Sequence, residues 1–202
     1  RVEVIAPPTL SGDYMAASEI RAILRDSDDH VWVANKSREL FRYSPDMKTC
    51  RRIPGDFGVI YTIHEDRDGN IWLGTKGDGL VRMTPQGGRY SLTRYRHNPA
   101  RPASLSSNDV YSIEQDRDGK LWIGTFGGGI SMLPDPDRDE FINVYNDFPD
   151  YPVEYGDRVR YLHCMSDGRM LVATVGGLLW FDPSGSPEST VFHATRKIPG
   201  DI

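Results

Sequence analysis

Apolar and polar residues alternate along this chain in short runs, and the runs return in the same order four times. Ile20 to Leu24, Ile60 to His64, Val110 to Glu114 and Val159 to His163 each follow a two-residue period, the pattern of a half-buried strand. An Asp/Gly turn and a second apolar run come next. Asp66-Arg-Asp-Gly-Asn-Ile-Trp-Leu-Gly-Thr75 recurs as Asp116-Arg-Asp-Gly-Lys-Leu-Trp-Ile-Gly-Thr125. Ser166-Asp-Gly-Arg-Met-Leu-Val-Ala-Thr174 is a weaker copy, and Asp26-Ser-Asp-Asp-His-Val-Trp-Val-Ala-Asn35 a worn one. A Gly-rich corner, Lys76 to Gly79 or Phe126 to Gly129, leads to a third run, Leu80 to Met83 or Ile130 to Leu133. A fourth follows, as at Tyr90 to Tyr95, Phe141 to Tyr145 and Thr190 to Arg196. Helical spacing is not sustained anywhere, so each repeat predicts four antiparallel strands joined by hairpins.

Anchoring on Trp32, Trp72, Trp122 and Leu171 gives spacings of 40, 50 and 49 residues. Such periods suit propeller blades and also helical arrays, and the hairpin pattern selects the blade. The expected fold is all-β: a β-propeller segment with about four four-stranded blades, over residues 18–54, 58–97, 108–147 and 157–196. Residues 1–5 read as the outer strand of a preceding blade, and Lys197 to Asp201 repeats the lead-in Arg52 to Asp56. The segment therefore reads as a slice of a larger propeller, although a closed four-bladed ring is the alternative. Asp-x-Asp-Gly supplies a side chain that bonds its own backbone and a Gly tolerant of positive φ. The Trp is a plate that fills the space between twisted blades. The small Gly74 and Gly124 admit a neighbouring backbone.

Composition changes this picture little. The chain has 202 residues, 38% hydrophobic and 26% charged, which is ordinary for a globular domain. A net charge of −5 gives no basic face for nucleic acid. No apolar stretch approaches the ~18 residues of a membrane helix. Arg1 is not a start residue and no leader pattern follows, which predicts a piece cut from a longer protein. Cys50 and Cys164 have neither disulfide-framework nor metal-ligand spacing.

Asp-x-x-Gly-x-(Leu/Ile)-Trp-(Ile/Leu)-Gly-Thr-x-x-(Gly/Asp)-Gly-(Leu/Ile) resembles the two-component regulator propeller repeat. Residues 59–83 and 110–133 match closely, 159–181 with Leu171 in place of Trp, and 20–43 weakly, with Asp29 at the turn Gly and Asn35 at the Thr. The resemblance implies a non-catalytic sensing ectodomain of a hybrid two-component histidine kinase, as in gut Bacteroides-like bacteria. It implies a periplasmic location, an oligosaccharide ligand, and as partners the rest of the propeller, an Ig-like domain and a kinase. Two bare blade faces would also invite a second copy of the chain.

The chemistry-bearing residues fit that reading and offer little for catalysis. A calcium loop needs a third oxygen at the fifth position and a Glu at the twelfth. Asn70 and Lys120 occupy the fifth, Lys120 being a poor ligand, so the Asp-x-Asp-Gly turns read as structural, and the five histidines show no ligand pattern. No catalytic residue, metal or cofactor is expected. His163 and Cys164 are strand neighbours that point to opposite faces. Gly127 to Gly129 precedes no helix and is a blade corner, not a phosphate loop. One register differs. Arg21, Tyr61, Tyr111 and Arg160 stand eleven residues before each anchor, on the strand that would line the channel. Arg holds carboxylates or sulfates bidentately, and Tyr offers a ring to a sugar face. The corners would add Arg38, Lys76 and Phe126 on the same end, and the loops before each blade Asn108, Asp109, Asp157 and Arg158. Packing between blades is the competing explanation for all of them. A propeller lyase or hydrolase, with Tyr as base, and a protein-binding scaffold are the alternative functions.

Overall fold

The computed structural model describes residues 18–195. Those residues form four antiparallel sheets of four strands, each sheet in simple chain order. The first blade holds β1 (Ile20–Arg25), β2 (Val31–Asn35), β3 (Leu40–Tyr43) and β4 (Cys50–Ile53). The second holds β5 (Val59–Glu65), β6 (Ile71–Lys76), β7 (Leu80–Gln86) and β8 (Arg89–Tyr95). β9 (Val110–Gln115), β10 (Leu121–Thr125), β11 (Ile130–Leu133) and β12 (Ile142–Asn143) make the third. α1 (Val153–Gly156) precedes β13 (Val159–Cys164), β14 (Met170–Thr174), β15 (Gly177–Phe181) and β16 (His193–Thr195) of the fourth. This is a partial β-propeller. The expected strand at residues 1–5, the repeat at Lys197 to Asp201 and the end of the last blade at Arg196 lie outside the described residues.

The repeated Asp does two things at once. In the second blade Asp66 Oδ1 accepts the backbone N–H groups of Asp68 and Asn70 at 3.0 and 2.9 Å, which closes the turn. Its Oδ2 accepts the Trp72 indole N–H at 2.7 Å. Asp26 with Trp32 and Asp116 with Trp122 repeat that bond at 2.8 Å. The six-residue spacing of Asp and Trp is thus a buried hydrogen bond as well as a turn. The fourth blade has neither partner, since Met165 and Leu171 stand in their places. Its turn still closes through Met165 N–H to the Arg169 carbonyl at 2.8 Å.

Among the described residues, three buried clusters lie in the seams between blades, and a smaller one, Val33, Phe41 and Tyr43, lies on the first blade alone. Trp32, Trp72 and Trp122 are almost wholly buried, each in a cluster shared with the following blade. The glycines two residues after the tryptophan are sockets. A Cβ on Gly74 would stand 2.6 Å from Val110 Cγ1 of the next blade, and one on Gly124 2.6 Å from Val159 Cγ1.

Two strands depart from the sequence pattern. The run Phe141 to Tyr145 shortens to Ile142–Asn143, because side-chain amides take over the backbone. Asn143 N–H donates to Asn146 Oδ1 and Tyr145 N–H to Asn143 Oδ1, at 2.7 and 2.8 Å, the usual competition of Asn with a strand ladder. The run from Thr190 shortens to His193–Thr195, because a 3₁₀ turn at Pro187–Ser189 claims the Thr190 N–H. α1 was not expected, and one turn is too short to carry a helical period.

Candidate functional site

All four inner strands carry a register break at the same place. The breaks fall between Ile20 and Ala22, Ile60 and Thr62, Val110 and Ser112, and Val159 and Tyr161. The unpaired residue in each is Arg21, Tyr61, Tyr111 or Arg160. A bulge leaves its extra residue outside the alternation and re-aims its side chain. The four side chains are thereby freed from the two blade faces and meet one another across the seams.

They form a ladder. Tyr61 and Tyr111 stack with ring centroids 4.6 Å apart and planes 26° from parallel. Tyr111 stacks in turn on Phe126 at 5.4 Å. The Arg21 guanidinium lies 5.5 Å from the Tyr61 centroid at one end. At the other, Arg160 lies 5.4 Å from Tyr111 and 4.7 Å from Phe126. Each pair of this kind contributes about 0.5–1.5 kcal/mol beyond burial. Arg21 also reaches Glu19 at 3.2 Å, while its Nε is buried with no hydrogen-bond partner among the described residues. Arg160 is exposed, and the two tyrosines and Phe126 are half-buried. Burial, together with the neighbouring Tyr61, pushes the Tyr111 phenol above its ordinary range.

The loop residues sit beside the ladder and are spent largely on backbone. The Asn108 carbonyl accepts Gly77 and Gly79 N–H at 3.1 and 3.0 Å, and the Asp157 carbonyl accepts Gly127 and Gly129 N–H at 2.8 and 2.9 Å. Each corner therefore hangs on the loop that opens the next blade. Asp109 accepts Phe126 N–H at 2.8 Å, and Arg158 bridges Phe126 across the seam. Asn108 Oδ1 accepts His97 N–H at 2.8 Å, and Arg158 Nε pairs with Asp157 at 3.4 Å. Arg38 and Lys76 are exposed on their corners, with no hydrogen bond, ion pair or cation–ring contact to the ladder among the described residues. So five of the eleven positions come together, four tie corners to loops, and two stand apart.

Two hollows of about 650 and 370 Å³ lie at the other end of the strands, between the first two blades. Arg51, Arg89 and Tyr90 line both, and no sequence pattern singled them out. They sit on outer strands, where the repeats agree least. Among the described residues no group of three or more His, Cys, Asp or Glu is placed to hold a metal ion. No described helix is long and apolar enough to cross a membrane.

Comparison with known proteins follows the same lines. The family described as two component regulator propeller matches residues 54–77 and 104–127, so the chain carries at least two of its repeats. No curated protein matches significantly. A solved structure described as the extracellular domain of a hybrid two component system, BT3049 of B. thetaiotaomicron, superposes with a TM-score of 0.72 at 23% identity. The match covers 94% of this chain and 26% of that one. The BT4673 extracellular domain of the same organism gives 0.67 at 20% identity over 96% and 28%. Virginiamycin B lyase from Staphylococcus aureus gives 0.64 at 16% identity over 91% and 57%. The chain spans about a quarter of the first two. At these identities the likeness establishes the propeller fold.

Proposed function

We propose that this propeller is a non-catalytic, ligand-sensing module of a hybrid two-component sensor histidine kinase, held outside the inner membrane, and that an oligosaccharide docks on the inner-strand ladder. The bulge-borne stack of Arg21, Tyr61, Tyr111, Phe126 and Arg160 carries the reading. Aromatic faces flanked by guanidinium groups suit sugar rings that bear carboxylate or sulfate. The two matched repeats support the sensor class, and the likeness to extracellular domains of hybrid two-component systems fits it. The partners follow from that class: further blades, an Ig-like domain and a kinase, with a second copy as a further contact. A Tyr base would need a lowered pKa, and the Tyr111 phenol is pushed the other way, which speaks against the lyase or hydrolase reading.

A thermal-shift screen against defined oligosaccharides, including sulfated and uronic-acid-containing ones, tests this. At 100 times Kd a ligand stabilises by about 2.7 kcal/mol, and each kcal/mol moves Tm by about 2–4 °C at this size. A saturable shift of roughly 5–10 °C that is lost in Tyr61→Ala and Tyr111→Ala is expected. A shift that survives both substitutions refutes the ladder as the site. Turnover of the oligosaccharide refutes the non-catalytic assignment.

A further inference from the structure

The two hollows at the far end of the first two blades are halves of one groove. Arg51, Ile53, Arg89 and Tyr90 border both. The groove runs between the outer strands β4 and β8, and Tyr90 stands at its middle, edge-on to Trp32 at 5.7 Å. One half is polar and the other apolar. The apolar half adds Pro54, Met83 and Leu92, the last exposed by 47%.

The polar half is lined by three carboxylates, Asp26, Asp28 and Glu65, and three guanidinium groups, Arg42, Arg51 and Arg89, but only Arg51 and Arg89 of these also line the apolar half. The carboxylates are already engaged. Asp26 Oδ2 accepts from the Trp32 indole and from Arg42, each at 2.8 Å. Both Glu65 oxygens accept from Ser27, at 2.6 and 2.8 Å, and Asp28 faces Arg42 at 3.9 Å. Arg42 is therefore spent as well. It also donates to His30 Nδ1 at 3.0 Å, which leaves the imidazole proton on Nε2, since a guanidinium cannot accept. Arg51 and Arg89 are exposed, and among the described residues their side chains make no hydrogen bond or ion pair. Arg51 and Arg89 are thus guanidinium groups without an ion-pair partner, and they line the apolar half with no carboxylate beside them.

From this arrangement we infer that the groove binds an amphipathic organic anion: a carboxylate, sulfate or sulfonate on an apolar body. The anionic group sits between Arg51 and Arg89, which offer planar forks matched to such oxygens. The apolar body lies beyond Tyr90 against Ile53, Pro54, Met83 and Leu92. Each half, at about 650 and 370 Å³, falls in the usual range for small-molecule sites. This site is separate from the ladder, and neither reading depends on the other.

Titration calorimetry with naphthalene-2-sulfonate tests the inference, with 2-naphthol and sodium sulfate as the half-ligands. Saturable binding is expected for the sulfonate, at least tenfold tighter than for either half. Arg51→Ala and Arg89→Ala each weaken it at least fivefold, and the double variant abolishes it. Both side chains are exposed, so far-UV circular dichroism of the variants should match the parent. Arg138→Ala, exposed in the outer loop of the third blade, leaves the affinity unchanged. Absence of saturable binding overturns the inference. So does equal binding of 2-naphthol or of sulfate alone, or retention of binding in the double variant.

Discussion

Moving the fourth blade's pair into the third separates the two roles of the repeated Asp. Asp116 and Trp122 are exposed by only 1% and 2% and share a hydrogen bond of 2.8 Å. Asp116→Met orphans the buried indole N–H and removes the bonds from Asp118 and Lys120 N–H, both 3.0 Å. The turn itself should survive, because Met165 already closes an equivalent one. The cost is about 2–4 kcal/mol, mostly for the unsatisfied donor. Trp122→Leu costs about 2–4 kcal/mol through lost packing and leaves a buried carboxylate without its partner. In the double variant neither group is orphaned. It should therefore be less destabilised than the sum of the singles by about 1.5–3 kcal/mol, the scale of a hydrogen bond to a charged group. Urea unfolding of the four proteins, followed by far-UV circular dichroism, measures this coupling. Additivity within about 0.5 kcal/mol would show that Asp116 serves the turn alone, and the argument would fail.

Other tests address the seams and the titrating groups. Gly124→Ala places a methyl group 2.6 Å from Val159 Cγ1 and should cost about 1–3 kcal/mol by overpacking; Val159→Ala in the same chain should recover part of the loss, read as urea midpoints. Burial pushes the Asp26 carboxyl up, but the Trp32 indole and Arg42 outweigh it and hold it below its ordinary range. Its stabilisation is present above pH ~4 and lost as pH falls through the lowered value. Burial also pushes the His64 imidazole down, against the pull of Asp66. The unfolded chain then takes a proton near pH ~6.5 that the folded one resists, so stability falls below that pH. His64→Gln should flatten the urea midpoint just below pH ~6.5, and Asp26→Asn below pH ~4. At the alkaline end, burial and the neighbouring Cys50 push the Tyr43 phenol up to about 12. Stability should decline from pH ~10 toward that value, and less steeply in Tyr43→Phe.

The blades were legible because each strand pattern is a direct image of burial. Ile63, Ile113 and Leu162 point into seams and are apolar for that reason. The bond from Trp72 to Asp66 was not read, although its spacing repeats three times, because a turn already accounted for the Asp. The bulges were hidden too. Arg21, Tyr61, Tyr111 and Arg160 were picked out by shared register, but a register cannot show that the backbone slips there and re-aims the side chain. The grouping of these four with Phe126 therefore needed coordinates. Strand ends failed where side chains compete locally, as Asn143 and Asn146 do. The rim groove was out of reach, because Arg51 and Arg89 become a pair only when two outer strands from different repeats stand side by side.

The same register bears on what the module needs around it. Ile60, Val110 and Val159 are wholly buried, whereas Ile20, at the equivalent position, is 44% exposed. Ile63, Ile113 and Leu162 are exposed by 1–7%, and Ile23 by 69%. On the far side of the fourth blade, Tyr161 and Leu178 are exposed by 62% and 39%. They flank Ala173 in the ladder, where the preceding blades place Gly74 and Gly124. The first blade thus presents an unfilled knob and the fourth an unfilled socket of the kind that three seams already join. Such faces associate head to tail, and a head-to-tail contact either closes into a ring or runs on. A larger propeller satisfies both within one chain. It would also set a further inner-strand residue beside Arg21 and another beside Arg160. Arg21 already faces Glu19 at 3.2 Å, whereas Arg160 has no ion pair among the described residues, so the identity of the neighbour at the Arg160 end decides whether the proposed ligand meets a free guanidinium group there.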